Sequence, residues 1–299
     1  MMPSRTFPLP SPVDVRASLT PLVVGRDATI RLAPDAVVRA WRTPAGPATL
    51  CVRVAGTSAT AEAWGPGADW ALEQAPAFVG AEDDATGFAP AHPLVRRAHR
   101  RRPGLRFGRT GTIADVLLPT ILQQKVTALE AVRTWMRMVA RWGEPAPGPF
   151  EDLRIAPAVD RFASLTTYEL HRLGVERRRA VTFIDASRRM GRLEEAAAMT
   201  ADDAFLRLTA LPGIGPWTAN LVLRTACGDA DRVEVGDFHV PNLVAWNLAG
   251  EARGGDRRMM ELLVPFAGHR GRVVRLLALE GQRAPAWGPR MTVHAVERL

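Results

Sequence analysis

The chain has 299 residues, 47 % of them hydrophobic, which is enough material for two or three domains with apolar cores. Its net charge of +8 favours a polyanionic partner. No apolar run of about 18 residues occurs, which excludes a membrane-spanning helix, and the proline-rich first residues lack the apolar core of a secretory signal.

The N-terminal third has the short periodicity of a sheet. We expect residues 1–12, which are rich in proline, to be disordered. Residues 13–105 are predicted to form an α/β domain with an antiparallel sheet and no candidate chemistry. Its expected elements are strands at 29–32, 48–54 and 58–64, a hairpin loop at 43–47 and a short helix at 69–78.

The most basic stretch of the chain, residues 92–103, closes this region. Two interpretations stay open for it. Clustered basic charge is common on a solvated helix face, and arginines also contact nucleic-acid phosphates.

The periodicity becomes helical at residue 112 and stays so. Residues 106–285 are predicted to form a helical domain, followed by a tail at 286–299. Thr112 and Asp115 indicate a capping pair that starts a helix reaching about residue 142, with a kink at Pro119.

The two cysteines, Cys51 and Cys227, are far apart in sequence, and neither belongs to a CxxC pair. We interpret them as buried thiols of a protein in a reducing cytoplasm, associated with the nucleoid if the source is bacterial. No HxH, HExxH or CxxC pattern occurs, so we expect no metal centre.

One stretch of the helical region, residues 211–219, has a pattern typical of two helices joined by a tight turn. Leu211 precedes a proline and is therefore driven out of the helical conformation. Gly213 and Gly215 permit a turn that no side chain obstructs, and Pro216 suits the first position of the second helix. The N–H groups at the start of that helix form an anion site, and its spacing suits a nucleic-acid phosphate.

The stretch LPGIGPWTANLVL, an aspartate downstream in VEVGDFHVP and the segment ILQQ at 121–124 together resemble the helix-hairpin-helix DNA glycosylase superfamily. Within it, the sequence is most similar to 3-methyladenine DNA glycosylase II. The resemblance covers residues 106–279 well and the N-terminal third loosely. It implies a mostly α protein: a helix-hairpin-helix glycosylase fold of two helical subdomains, preceded by a small α/β domain with an antiparallel sheet.

The resemblance places the catalytic carboxylate at Asp237. As a residue type alone, this aspartate also suits the N-cap of the helix that follows it. The reaction asks one carboxylate to stabilise an oxocarbenium-like sugar or to activate a water molecule.

Trp217 is the implied base platform, because an indole ring lines a pocket for a flipped base and attracts a cationic one. A tryptophan at a helix start is as often a core residue. Relatives that also cleave the DNA strand have a Schiff-base lysine at this position, so the resemblance implies a monofunctional enzyme.

The expected DNA contacts are the hairpin and a few polar or basic side chains. Gln124 is predicted to fill the gap left by a flipped base, with Lys125 on a phosphate, although both could instead lie on a solvated turn. Arg270 and Arg272 are expected to contact phosphate, because cations at a helix N-terminus favour an anion there. The role of His239 stays open. The full predicted DNA-binding set is Gly213, Ile214, Gly215, Pro216, Thr218, Lys125, Arg270 and Arg272.

The leading hypothesis is a monofunctional DNA glycosylase that removes alkylated purines, such as 3-methyladenine and 7-methylguanine, in base excision repair. Its expected partner is double-stranded DNA with damaged bases, bound by a monomer away from membranes. No cofactor is expected, although the resemblance implies that the hairpin carbonyls could hold a monovalent cation. Two alternatives stay open: a non-catalytic helix-hairpin-helix protein that binds DNA structures, and a glycosylase for another lesion such as hypoxanthine or an oxidised base.

Overall fold

The computed structural model describes residues 3–25 and 27–285. Within them, an antiparallel sheet runs in the order β1-β5-β4-β3-β2. Its strands are β1 (Ser4–Pro8), β2 (Ile30–Leu32), β3 (Ala36–Thr43), β4 (Gly46–Ala55) and β5 (Ser58–Trp64). The predicted antiparallel sheet and its hairpin loop are confirmed, because Thr43 pairs with Gly46 across the β3–β4 turn.

The sheet buries one face against two helices, α1 (Val15–Leu19) and α2 (Ala68–Phe78). Trp41 and Leu50 are fully buried at the centre of this core. The Trp41 ring also lies 5.1 Å from that of Phe78 on α2. The N-terminal region is therefore a sheet-and-helix unit with its own apolar core.

The expectation of disorder in residues 1–12 is wrong for the part of it that the structure describes, residues 3–12. Strand β1 pairs with β5, and Phe7 and Leu9 are buried in the sheet core. The prolines are compatible with this because β1 is an edge strand, where a missing N–H interrupts no ladder on the open side.

The rest of the described chain is helical apart from a short two-stranded ladder, β6 (Glu144–Pro145) with β7 (Arg154–Ile155). No helix among the described residues is both long and apolar enough to cross a membrane. The helices are α3 (Pro93–Arg101), α4 (Ala114–Leu122), α5 (Ala128–Trp142), α6 (Val159–Ala163), α7 (Thr167–His171), α8 (Arg177–Arg188), α9 (Met190–Glu194), α10 (Ala201–Thr209), α11 (Pro216–Ala226), α12 (Val240–Ala249), α13 (Asp256–Leu263) and α14 (Arg270–Glu280).

These helices pack around two hydrophobic cores, as the predicted pair of helical subdomains requires. One core joins α4, α5 and the helices up to α11. The other joins α12, α13 and α14 with α3. Val95 and Ala98 of α3 are buried there, so this helix packs with the C-terminal subdomain although we had placed residues 13–105 in the N-terminal domain.

The long helix predicted from residue 112 is two helices, α4 and α5, separated by residues 123–127. Lys125 in this break has a φ of 53°, which no residue inside a right-handed helix adopts. The predicted cap was also incomplete: Thr112 Oγ1 contacts the Asp115 carboxylate at 3.3 Å, but the free N–H groups of α4 bind another residue. Both carboxylate oxygens of Glu194 accept from that helix start, from the N–H groups of residues 113 and 114.

Candidate catalytic site and nucleic-acid interface

Asp237 lies at the start of α12, and both oxygens of its carboxylate accept hydrogen bonds. Oδ1 accepts from the backbone N–H of His239 at 2.7 Å and of Val240 at 2.9 Å. Oδ2 accepts from the indole N–H of Trp217 at 2.9 Å. The N-cap residue of α12 is His239 and not Asp237, but the Asp237 carboxylate binds the N–H groups at this helix start and is held against the first turn of α11.

Helix α11 also holds the loop before Asp237 through a residue near its C-terminal end. Arg224, in the last turns of α11, forms an ion pair with Glu234, and their side chains are only 13 % and 7 % exposed. Gly236 donates its N–H to Asp256 at the start of α13 at 3.0 Å. The carboxylate of Asp237 is thus fixed relative to α11, α12 and α13 before any ligand binds.

The two glycines of the hairpin between α10 and α11 differ in the space around them. Gly213 has a φ of 92°, and a Cβ there would collide with Oγ1 of Thr182 on α8. Gly215 has ordinary backbone angles, and a Cβ there would meet no atom within 4 Å. Gly213 is therefore needed by the fold, whereas the space in front of Gly215 is open to a ligand.

The other predicted hairpin residues also differ in whether they are buried in the fold or open to a ligand. Ile214 is 4 % exposed and belongs to the helical core, so its side chain anchors the hairpin and cannot reach DNA. Its N–H is also taken by the carbonyl of Leu211 at 3.0 Å. Pro216 is exposed at the first position of α11, whose first turn presents N–H groups that have no acceptor within the helix.

Gln124 braces the hairpin. Its side-chain amide donates to the carbonyl of Gly213 at 3.0 Å and to Oγ1 of Thr218 at 2.9 Å. Thr218 is itself 2 % exposed. Filling a gap in DNA would require Gln124 to leave both partners, whereas Lys125 beside it is exposed in its left-handed conformation. The gap-filling role of Gln124 stays a prediction.

The expected phosphate contact of Arg272 is wrong for the side chain as it lies in the structure, whereas that of Arg270, whose side chain is 33 % exposed, stays a prediction. Arg272 is 2 % exposed and pairs with Asp83 at 2.6 Å, with its guanidinium also 5.0 Å from the ring of Phe107. Arg270 forms an ion pair with Asp231, which also accepts its backbone N–H at 2.9 Å. The helix start does attract anions, as we argued, but the anions are carboxylates of the same chain.

Phe238 is a residue that sequence reasoning missed. It is 79 % exposed, although it follows Asp237 directly, and its ring lies edge-on to that of His239 at 4.9 Å. An exposed aromatic ring beside a fixed carboxylate is an available stacking surface. The sequence offered one signal for this residue, because Phe238 is an apolar residue between the polar residues Asp237 and His239.

The basic stretch forms α3, an amphipathic helix. Its apolar side packs in the C-terminal core, and the arginines at 96, 97, 100 and 101 are exposed. Arg102, at its end, pairs with Glu280 at 2.6 Å. A solvated helix face explains this arrangement without DNA, and a phosphate contact from the exposed arginines stays a prediction.

No group of three or more His, Cys, Asp or Glu side chains that could hold a metal ion occurs in the described chain. The thiol of Cys51 is buried and that of Cys227 is partly buried. Burial raises the pKa of Cys227 to about 11. At the hairpin, the Gly213 carbonyl accepts from Gln124, and a monovalent cation held by the hairpin carbonyls stays a prediction.

No protein-family model matches the sequence. Among curated proteins, the chain is 29 % identical over 149 residues to a probable bifunctional transcriptional activator/DNA repair enzyme AlkA of Mycobacterium tuberculosis, a match that spans 50 % of this chain and 30 % of that protein. A DNA-3-methyladenine glycosylase of Bacillus subtilis is also 29 % identical over 149 residues, which is 48 % of this chain and 49 % of that protein. These matches span no more than half the length of either relative.

Solved structures match over nearly the whole chain. A 3-methyladenine DNA glycosylase of Archaeoglobus fulgidus aligns with a TM-score of 0.77 at 17 % identity, covering 92 % of this chain and 98 % of that one. An 8-oxoguanine glycosylase/lyase of Clostridium acetobutylicum, solved with DNA, aligns with a TM-score of 0.68 at 13 % identity, covering 89 % and 90 %. The predicted fold class and the resemblance to helix-hairpin-helix DNA glycosylases are confirmed.

Proposed function

We propose that the chain is a monofunctional DNA glycosylase, which binds double-stranded DNA as a monomer and hydrolyses the N-glycosidic bond of a damaged purine in base excision repair. The observation that carries this proposal is the geometry of the Asp237 carboxylate. It is held by two backbone N–H groups and by the indole of Trp217 at the start of α11. A helix cap alone would use the backbone donors and would not need the indole.

A single oriented carboxylate is sufficient for the proposed reaction. The bond between the sugar C1′ and the base nitrogen breaks, and its electron pair leaves with the base. A base made cationic by alkylation becomes neutral in this step and needs little acid catalysis. Asp237 stabilises the positive charge that develops on the sugar, and water then adds to C1′ and loses its proton to the carboxylate or to solvent.

The surrounding residues would hold the DNA and the extruded base. The N–H groups at the start of α11 and the open face of Gly215 suit a phosphate, which fixes register and carries no lesion information. Phe238 offers an exposed ring for stacking, whereas the indole N–H of Trp217 is already used on Asp237. Trp217 is therefore a positioning residue whose ring face can still line the site.

Alkylated purines are the substrate class that the names of the two sequence relatives support. The fold alone does not choose the lesion, because 3-methyladenine and 8-oxoguanine glycosylases share it. The rival function, a non-catalytic DNA-structure binder, would have no use for a carboxylate held by both α11 and the start of α12. The geometry of Asp237 therefore favours the enzyme.

The test is release of 3-methyladenine and 7-methylguanine from methylated DNA, beside duplexes that contain hypoxanthine or 8-oxoguanine. Asp237→Asn should abolish release, because the uncharged amide cannot stabilise a cationic sugar, and should still bind a duplex bearing an abasic-site analogue. Asp69→Asn on α2 of the sheet domain is the matched control and should behave as the wild type. Release by Asp237→Asn within a few-fold of wild type would remove this residue from the mechanism.

A further inference from the structure

The segment that leads to Asp237, residues 229–237, contains no helix or strand. It ends in a turn in which the carbonyl of Glu234 accepts from the N–H of Asp237 at 3.1 Å, and Gly236 within this turn has a φ of 91°. A segment without the hydrogen bonds of a helix or a sheet is held in place by its contacts with neighbouring elements. The position of Asp237 therefore depends on what this turn binds.

Two side-chain contacts join this turn to α11. Trp217, in the first turn of the helix, donates to Asp237 at 2.9 Å, and Arg224, in its last turn, forms an ion pair with Glu234. Residues seven apart in a helix lie about 10 Å apart along its axis and on nearly the same face. One contact would leave the turn free to rotate about it, whereas two contacts this far apart fix both its position and its direction.

The ion pair between Arg224 and Glu234 is enclosed by the fold. The two side chains are 13 % and 7 % exposed, and Oε2 of Glu234 has no hydrogen-bond partner among the described residues. Removing two charges from water costs about as much as their attraction returns, unless further hydrogen bonds complete the site, so such a pair adds little to stability. A fixed geometry of the turn is the contribution that this pair can make.

The pair also crosses the boundary between the two helical subdomains. Leu223, next to Arg224, is buried in the first helical core, and Val233, next to Glu234, is buried in the C-terminal core. Helix α11 begins at the hairpin, whose N–H groups are proposed above to bind a phosphate. A shift of the turn along α11 would therefore change the distance between that phosphate and the carboxylate of Asp237.

We propose, on the basis of the function proposed above, that Arg224 and Glu234 are positioning residues of the glycosylase reaction. Both act through Asp237. Their ion pair holds the turn at 234–237 against α11, so that the carboxylate faces the sugar whose phosphate the hairpin binds. A misplacement of about 1 Å, caused by a change far from the reacting atoms, can lower a rate by about a hundredfold.

Arg224→Met/Glu234→Met removes the pair and leaves neither charge without its partner. Apolar residues in place of a buried ion pair usually preserve stability. The change is also favourable for Arg275 nearby: burial and then the charge of Arg224 lower its pKa to about 10, and the opposing effect of Glu234 is smaller. We therefore expect the double variant to unfold at the temperature of the wild type or above it.

The double variant should lose rate and keep affinity. In the full chain, single-turnover release of 7-methylguanine from methylated DNA should fall by about tenfold to a hundredfold. The dissociation constant for a duplex bearing an abasic-site analogue should stay within about threefold of wild type, because the hairpin that contacts the phosphate is unchanged. Arg224→Lys, which keeps the charge, should retain more of the rate than the double variant.

The indole N–H of Trp217 gives a readout that needs no catalysis. In isotope-labelled protein its NMR resonance and its hydrogen exchange report the bond to Asp237, and Trp217→Phe assigns the signal. The double variant should move this resonance towards that of a solvent-exposed indole and speed its exchange. The indole of Trp41, which is fully buried and donates to Thr112 at 3.4 Å, should not change and is the internal control.

Arg39→Met/Asp115→Met is the matched control. It removes another enclosed ion pair, whose side chains are 5 % and 10 % exposed and join β3 to α4. Because this pair does not contact the turn at 234–237, its loss should leave both the release rate and the Trp217 resonance as in the wild type.

Release at the wild-type rate by Arg224→Met/Glu234→Met would overturn the proposal, as would an unchanged Trp217 resonance or equal losses of rate and of affinity. If that variant does not fold, Glu234→Asp decides, because it keeps both charges and shortens the contact by one methylene. Slower release with unchanged affinity would then support the positioning role, and release at the wild-type rate would refute it. Wild-type protein that releases no base refutes the glycosylase function instead, and the Trp217 resonance still tests whether the pair positions Asp237.

Discussion

Under the proposed function, Asp237 serves structure and chemistry together. Its Oδ1 satisfies two N–H groups at the start of α12, and its Oδ2 accepts from Trp217 on another helix. A carboxylate fixed this way needs little reorganisation when positive charge develops on the sugar, and such preorganisation is a large share of electrostatic catalysis. The resemblance implies that the indole that holds it stands where strand-cleaving relatives have their amine.

The two hairpin glycines allow the fold and the DNA contact to be tested separately. We expect Gly215→Ala to keep the unfolding midpoint of the wild type, because its Cβ meets no atom within 4 Å. It should weaken binding to damaged and undamaged duplexes alike by about 1–3 kcal/mol, since the methyl group blocks backbone donation to a phosphate. Fluorescence anisotropy with both duplexes measures this.

Gly213→Ala is the matched contrast. Its φ of 92° and the contact with Thr182 should lower the free energy of unfolding by about 1–3 kcal/mol, through backbone strain and displacement of α8. Loss of binding to damaged DNA alone in Gly215→Ala would mean that this glycine contacts the lesion and not a phosphate.

At the scale of elements, α4 is held by charged side chains from elsewhere in the chain. Glu194 accepts from two N–H groups at its start, and Arg179 of α8 donates to the carbonyl of Leu122 at its end at 2.9 Å. Each charge complements the helix dipole at that end. Since α8 also contributes Thr182 to the hairpin, it positions both the end of α4 and the turn before α11.

Neighbouring glutamates at the end of α9 should respond to pH with opposite sign. Burial raises the pKa of Glu194 above its ordinary 4.5, with the backbone N–H groups of α4 acting against this. The folded state therefore binds more protons than the unfolded state just above pH 4.5, and stability from this group falls as pH rises through that window. A hydrogen bond from Arg207 lowers the pKa of Glu195, so its contribution is lost as pH falls below 4.5.

Urea unfolding of Glu194→Gln and Glu195→Gln between pH 3.5 and 7 measures both contributions, over a range of about one unit below to several units above the ordinary glutamate pKa. The cost of Glu194→Gln, relative to wild type, should be largest near the acidic end of its window and shrink as pH rises. Glu195→Gln should cost less overall because the side chain is exposed, and its cost should disappear in acid. A cost of Glu194→Gln that grows from pH 5 to 7 would contradict the assigned direction.

The elements that sequence analysis predicted well are those whose signals are local. The hairpin and the strand spanning Ser58–Trp64 both follow from residues within a few positions of each other. The misses were long-range. The partners of Arg270 and Arg272 are Asp231 and Asp83, and nothing near the start of α14 in sequence indicates that these carboxylates reach it.

At the scale of the whole molecule, the candidate site lies where the two helical cores meet. The first helical subdomain provides the hairpin and α11, and the C-terminal subdomain provides Asp237. Each core fixes its own side chains, and ion pairs such as Arg39–Asp115 and Arg224–Glu234 join the units across the junction. A junction of this kind is where ligand sites of small molecules and bases commonly form.

The composition of the whole chain leads to the last prediction, that base removal leaves an intact abasic site. Strand cleavage by a bifunctional glycosylase needs an amine that forms a Schiff base with the sugar. Of the 39 Lys and Arg residues only Lys125 is a lysine, and the resemblance implies that Trp217 stands where strand-cleaving relatives have their nucleophilic lysine. Lys125 lies in the break between α4 and α5, exposed and with a φ of 53°, on an element different from the one that holds Asp237.

We expect gel analysis of an excised duplex to show nicking only after alkali treatment, and borohydride to trap no covalent protein–DNA adduct. A known bifunctional glycosylase treated in parallel is the control for trapping. An adduct would refute the monofunctional assignment, and Lys125→Arg would then identify its origin. Trapping lost in this variant would assign the amine to Lys125, whereas trapping retained would leave the α-amino group, because no other primary amine occurs in the sequence.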